Sequence, residues 1–153
     1  MLVVAGGDPK ARDNQGLTPL HTALDKGRGG KSLYLLQMGA DVNAQDEQGR
    51  GPIHVAATDP SSALMGVLFK HGCNLDLQDN DGATAMHVAA AIGSRRIVKL
   101  LLDQGADREI EDHKGRTPFD VAKELNRVPV IRVFERLRPQ GGKRQQQQKQ
   151  SSE

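Results

Sequence analysis

The sequence has few of the features that mark secreted, membrane-spanning or nucleotide-binding proteins. Its 153 residues include one cysteine, no tryptophan, one tyrosine and three phenylalanines. Cys73 has no partner for an internal disulfide, so we expect an intracellular setting, cytoplasmic and/or nuclear. No apolar run approaches the roughly 18 residues of a membrane-spanning helix, so no membrane insertion is expected. The glycines follow neither common phosphate-loop order, so no nucleotide cofactor is predicted.

The charge is unevenly distributed along the chain. Residues 127–153 contain seven basic and two acidic residues, a net charge of +5, whereas the preceding residues carry −3. A body with this charge lacks the strongly basic surface that nucleic-acid binding usually requires, which argues against nucleic acid as the partner. Residues 139–153 have no apolar periodicity and are rich in glutamine, so we predict a disordered basic tail.

One nine-residue pattern occurs four times. The copies are "DNQGLTPLH" from Asp13, "DEQGRGPIH" from Asp46, "DNDGATAMH" from Asp79 and "DHKGRTPFD" from Asp112, and each begins 33 residues after the last. Four copies in one phase identify a repeat architecture. The common phase of the four aspartates marks them as turn residues, too far apart to form a catalytic carboxylate pair.

Two short helical patterns lie between successive turns. Leu20, Ala23 and Leu24 have the i, i+3, i+4 spacing of one helix face, and apolar residues recur at the same phase in later repeats. Helices of three turns or fewer are marginal alone, since most helical stability comes from tertiary packing. The predicted fold class is therefore an all-α repeat solenoid in which helix pairs stack on copies of themselves.

Local signals predict where the helices begin and end. Thr18, Thr84 and Thr117 are candidate N-caps, followed by proline or alanine at the first helical position, while Gly51 replaces the capping threonine in the second repeat. The turn glycines suit positive φ, as does a glycine at each second-helix end. Gly29 and Gly30 predict a late start for the second helix of the first repeat.

These residues resemble the ankyrin repeat, whose pattern T-P-L-H-x-A is matched by "TPLHTA" at 18–23, and whose helix-end pattern is matched by "LLQMGADVNAQD" and "LLLDQGADREIED". The resemblance covers about 2–137 and implies helix pairs with projecting β-turn fingers. The predicted domain is 1–138, with a partial repeat at 1–12 and full repeats at 13–45, 46–78, 79–111 and 112–138. Lys123 and Glu135 replace apolar residues in the last repeat, which predicts a solvated, capping face.

The first twelve residues align with the end of a second helix and its finger. Leu2, Val3 and Val4 would then lack a partner helix. We therefore expect the chain to be a fragment of a longer array. The alternative is that another segment covers the apolar surface of the first repeat.

Reactive residue types occur in patterns that do not form a catalytic or metal site. His21, His54 and His87 lie one repeat apart, and helices pack about 8–10 Å apart, so they cannot share one zinc ion. The resemblance implies that each imidazole ties a turn to the next repeat and that Asp120 substitutes in the last one. Cys73 occupies a recurring structural slot, which predicts an inert thiol. We predict no catalytic residues, no metal and no cofactor.

The resemblance implies that variable positions on the finger tips and first helices line one concave surface. Its polar, mixed-charge character favours recognition of a protein partner; the alternative is a merely solvated face. The candidate partner-binding residues are Asn14, Gln15, Leu17, Asp25, Lys26, Glu47, Gln48, Arg50, Thr58, Asp59, Asn80, Asp81, Ala83, Ala91, Ile92, His113, Lys114, Arg116, Glu124 and Leu125.

The favoured function is a monomeric, non-enzymatic protein-interaction module, acting as an adaptor, scaffold or inhibitor. The alternatives are a targeting or regulatory segment of a larger regulator, enzyme, channel or receptor, and binding of an acidic surface or nucleic acid by the basic tail. Asn43 is also a candidate for hydroxylation, because its context resembles the ankyrin hairpins that asparagine hydroxylases use. The alternative role for Asn43 is that of a structural hairpin residue.

Overall fold

The computed structural model describes residues 8–59 and 62–137, which contain eight helices and no strand. The helices are α1 (Pro19–Asp25), α2 (Gly29–Gln37), α3 (Pro52–Ala56), α4 (Ala63–Phe69), α5 (Ala85–Ile92), α6 (Arg95–Asp103), α7 (Pro118–Glu124) and α8 (128–137). Residues 1–7 of the predicted partial repeat, Pro60 and the predicted tail lie outside the described residues. None of the helices in the described ranges is long and apolar enough to span a membrane.

The helices form two layers. First helices pack in chain order, α1 on α3, α3 on α5 and α5 on α7, while α2 packs on α4 in the second layer. Each of α1, α3 and α5 also packs on the second helix of its own repeat. This arrangement confirms the predicted all-α repeat solenoid.

The core repeats with the 33-residue period of the sequence. One column of small residues lies on the first helices, and each is at most 2% exposed: Ala23, Ala56, Ala89 and Ala122. Small side chains at this position allow first helices to approach closely. A second column on the second helices contains larger side chains: Leu35, Leu68, Leu101 and Phe134. Burial of these columns supplies the packing without which helices this short would be marginal.

The predicted caps are confirmed. The side-chain oxygens of Thr18, Thr84 and Thr117 accept hydrogen bonds from backbone N–H groups in the first turns of α1, α5 and α7. Gly51 provides no side chain, but His54 Nδ1 still accepts from Gly51 N at 3.0 Å. The helix α3 that follows Gly51 has only five residues.

The predicted late start of the second helix in the first repeat is wrong. Helix α2 begins at Gly29, the same repeat position at which α6 begins 66 residues later. Ser32 closes its first turn, since its N and Oγ both donate to the Arg28 carbonyl, at 3.0 and 2.8 Å. These bonds and the burial of Leu35 and Leu36 outweigh the low helix propensity of glycine.

The last described repeat has a polar outer side. Lys123 and Glu135 are exposed, whereas the equivalent positions in the first repeat, Leu24 and Leu36, are buried. This exposure agrees with the prediction of a solvated outer face.

Candidate protein-binding surface

Each finger is built around an aspartate that binds its own turn. Asp79 Oδ1 accepts from Asp81 N and Ala83 N, both at 2.9 Å, and Asp79 N donates to the Ala83 carbonyl at 2.9 Å. The same bonds recur around Asp13, Asp46 and Asp112. The four aspartates are therefore turn residues, as the repeat phase predicts.

Neighbouring fingers are joined by backbone hydrogen bonds. Glu47 N donates to the Gln15 carbonyl at 3.1 Å, Asn80 N to the Gln48 carbonyl at 3.0 Å, and His113 N to the Asp81 carbonyl at 2.9 Å. Gln45 Nε2 adds a side-chain link by donating to the carbonyls of Gly49 and Gln78, at 2.8 and 3.1 Å. We call this set of bonds across fingers 13–17, 46–50, 79–83 and 112–116 the finger ladder. It makes four turns into one continuous edge.

The three histidines join each first helix to the next finger. Their Nε2 atoms lie 2.8–2.9 Å from the carbonyls of Arg50, Ala83 and Arg116. Their Nδ1 atoms accept from backbone N–H groups of their own repeat, so Nε2 carries the proton and donates. Burial lowers the pKa of His54 and His87, which favours this neutral form. In the fourth repeat, Asp120 replaces the histidine, and its Oδ2 accepts from Thr117 N at 3.0 Å as Nδ1 does in the other repeats.

Two fingers carry an internal ion pair. Arg50 Nη2 lies 3.2 Å from Asp46 Oδ2, and Arg116 Nη2 lies 2.9 Å from Asp112 Oδ2. Burial by itself would raise the pKa of each aspartate, but the backbone and arginine hydrogen bonds outweigh it, so both pKa values are lowered. Arg116 also donates to Glu124 Oε1 at 2.8 Å, which joins the fourth finger to α7.

All twenty candidate residues are accessible to solvent. Fifteen are exposed, and the five that are half-buried are Leu17, Asp59, Ala83, Ala91 and Arg116. They form two groups, one on the fingers of the ladder and the other at the C-terminal ends of the first helices or just beyond them.

An exposed apolar pair lies within the second group. Ile92 ends α5 and Leu125 follows α7 at the equivalent repeat position, and their side chains are 48% and 47% exposed. Since α5 packs on α7, these residues lie on adjacent helices of the same layer. The charged finger residues Asp81 and Lys114 belong to the same two repeats and are exposed.

Several candidates have structural contacts that sequence reasoning did not detect. Arg50 pairs with Asp46, whose side chain is only 1% exposed, and Asn80 Nδ2 donates to the Glu47 carbonyl at 2.8 Å. The four-residue spacing of Asp46 and Arg50 is a local signal for the ion pair. The Asn80 bond has no local signal, because it depends on the placement of a finger 33 residues earlier. Substitution of either residue would therefore change stability as well as any binding.

The remaining reactive residues are accounted for without catalysis. Burial raises the pKa of the Cys73 thiol to about 11, so little reactive thiolate forms at neutral pH. His71 Nδ1 is 3.1 Å from the Val67 carbonyl of the preceding helix α4. Within 8–59 and 62–137, no group of three or more potential ligands could hold a metal ion.

Asn43 is half-buried and has a structural contact. Its Oδ1 accepts from Asn74 N in the next repeat at 2.7 Å, and its own N donates to Asp41 Oδ1 at 2.9 Å. Asp76 makes the equivalent contact with Asp107 N. This geometry supports the structural role, and hydroxylation of Asn43 stays a prediction.

Paired helices, capped turns and a finger ladder with a 33-residue period define a helical repeat solenoid. A family model described as ankyrin repeats (three copies) matches residues 1–79 and 53–136. The chain belongs to the ankyrin-repeat family. Members of this family are generally protein–protein interaction modules and are typically not enzymes. None of the curated proteins compared with the chain matches it.

Proposed function

We propose that this protein is a monomeric, intracellular, non-enzymatic adaptor, scaffold or inhibitor that binds a protein partner through its concave surface, formed by the finger tips and first helices. The apolar pair Ile92 and Leu125 is the observation that carries the proposal. Two side chains nearly half exposed on packed helices offer an apolar anchor, and the rim around an anchor of this kind is usually polar.

Charged finger side chains of the same two repeats supply orientation. The Asp81 and Lys114 backbones bond within their fingers, while neither side chain bonds to a described residue. These charges are therefore free to contact a partner, unlike those of Arg50 and Arg116, which are already paired. Exposed charges of this kind contribute mainly to association rate and register.

The experiment begins with isolation of a partner by affinity capture, followed by measurement of its affinity for point variants. Ile92→Ala and Leu125→Ala together should raise Kd at least about tenfold, or about 1.4 kcal/mol. Met38→Ala is the matched control, since Met38 is 46% exposed but follows α2 in the second layer. It should leave Kd unchanged.

The melting temperature of each variant separates binding from stability. Exposed side chains away from structural contacts usually change stability by no more than about 0.5 kcal/mol, so all three substitutions should have little effect on melting. An unchanged Kd for the Ile92 and Leu125 double variant would reject the concave surface as the binding site.

A further inference from the structure

A recessed surface is lined by none of the twenty candidate residues. A groove of about 600 Å³ is formed between α6 and α8, in the layer of second helices. Val133 in this groove is 9% exposed, while Leu102 and Leu137 are half-buried. Together with the more exposed Val128, they give the groove an apolar floor.

Two rows of positive charge border this floor. Arg95 and Lys99 are four residues apart on α6, and Arg132 and Arg136 are four residues apart on α8. Residues four apart lie on the same side of a helix. All four side chains are exposed, and none forms an ion pair with another residue of the described ranges. Asp103 is the only acidic residue among the described residues that line the groove.

The repeat framework does not require these charges. Lys99 and Arg132 occupy the same repeat position, which is Leu33 in the first repeat and Gly66 in the second. Arg95 is the first residue of α6, where a positive charge opposes the helix dipole, and no acidic residue in that first turn compensates for it. The four cations also repel one another across the groove. The fold therefore gives no reason for these four charges, and their shared sign favours a negatively charged ligand.

We propose that the groove between α6 and α8 binds an acidic segment of a protein partner that carries apolar side chains. Acidic residues of such a segment pair with the two cationic rows, while its apolar side chains fill the space above the floor. The volume is sufficient for a few such side chains, within the usual range for binding pockets.

Other occupants fit the groove less well. Single-stranded nucleic acid relies on aromatic side chains for base stacking, and none of the described residues that line this groove is aromatic. A flat lipid surface would not reach the buried Val133. Residues 138–153 of this chain contain Arg138, Lys143, Arg144 and Lys149 against Glu153 alone, so their charge is of the wrong sign.

The test uses the full chain and a fluorescein-labelled peptide of alternating glutamate pairs and leucine pairs, followed by fluorescence anisotropy. We expect saturable binding, and a peptide with serine in place of leucine should bind at least about tenfold more weakly. Arg132→Glu with Arg136→Glu should raise Kd at least about tenfold. Arg28→Glu with Lys31→Glu is the matched control, because it makes the same charge change at exposed residues of the first repeat, which do not line the groove. It should leave Kd nearly unchanged.

The Arg95→Glu variant distinguishes a binding role from a structural one. Since it removes repulsion and an unfavourable helix-end charge, it should raise the melting temperature of the free protein while also raising Kd for the peptide. Thermal melting also checks that the Arg132 and Arg136 double variant is folded. Ile92→Ala should not change peptide affinity, so the outcome here is independent of the concave surface.

Four outcomes would overturn the proposal. The first three are equal binding of the serine peptide, an unchanged Kd for the folded Arg132 and Arg136 double variant, and an equal loss in the Arg28 and Lys31 control. The fourth is tighter binding of poly-uridine or phosphatidylserine vesicles that the groove variants abolish. The last outcome would assign the groove to a nucleic acid or a lipid headgroup.

Discussion

Nε2 of His54 donates a hydrogen bond to the carbonyl oxygen of Ala83, 2.9 Å away and 29 residues later in the chain. On the other side of the ring, Nδ1 accepts from Gly51 N at 3.0 Å. One neutral imidazole therefore binds the start of its own helix and the finger of the next repeat. Protonation of Nδ1 would remove its acceptor and leave the Gly51 N–H without a partner.

This geometry predicts that acidification destabilises the protein. The folded-state pKa values of His54 and His87 are lowered from 6.5, so the unfolded chain binds more protons below that pH. Stability is therefore fully present above about pH 6.5 and is lost as the pH falls through the folded-state values. Urea unfolding midpoints should decrease between about pH 7.5 and pH 5. His54→Gln with His87→Gln should lower the midpoint at neutral pH but flatten this dependence. If the urea midpoint depended on pH equally in the wild-type protein and the double variant, the two histidines would not be the cause of the pH dependence.

The turn glycines of the third and fourth fingers form a matched pair for substitution. Gly82 and Gly115 have φ values of 80° and 76°, so alanine at either should cost about 1–2 kcal/mol from backbone strain. A Cβ at Gly82 would also lie 2.8 Å from His113 N, whereas one at Gly115 would meet nothing within 4 Å. Gly82→Ala should therefore cost a further 1–3 kcal/mol, roughly, by overpacking. Denaturant unfolding measures the free energy of unfolding of both variants. Equal losses of stability would show that the finger ladder accommodates a displacement of His113.

Leu101 lies in the core column of the second helices and is 0% exposed. Leu101→Ala should lower the free energy of unfolding by about 2–5 kcal/mol, through lost apolar burial and the cavity that remains. Leu125→Ala is the control, because that leucine is 47% exposed and should change stability by less than about 0.5 kcal/mol. The reverse order of denaturant midpoints would overturn the assignment of core and surface positions.

Asn80 should contribute to stability through the finger ladder. Its Nδ2 donates to the Glu47 carbonyl at 2.8 Å, so Asn80→Ala should cost about 0.5–1.5 kcal/mol. The sequence alone predicts a small effect for a finger-tip residue. Asn14 holds the same repeat position in the first finger without a side-chain bond to another described residue, and Asn14→Ala should cost less. Equal unfolding free energies for the two variants would show that the ladder bond contributes nothing.

Local chemistry explains how much of the fold was predictable. A threonine cap, a turn aspartate and a positive-φ glycine act within four residues, so "DNQGLTPLH" contains all the groups that its turn and helix start require. Where packing competes with propensity, the local signal fails. Gly29 begins α2 because the Ser32 bonds and the buried leucines favour a helix there.

The sequence by itself determined the 33-residue period, the helix faces, the finger turns and the family, because each depends on residues close together in the chain or on their regular recurrence. Only the tertiary structure decided which of these residues are already bonded to another repeat. It joined Asn80 to the preceding finger and Asn43 to Asn74 of the next repeat. It also placed Arg132 and Arg136 in folded α8 opposite Arg95 and Lys99, although sequence counting had grouped the first two with a basic C-terminal region. A groove between helices more than twenty residues apart exists only once stacking sets the distance and orientation of their side chains.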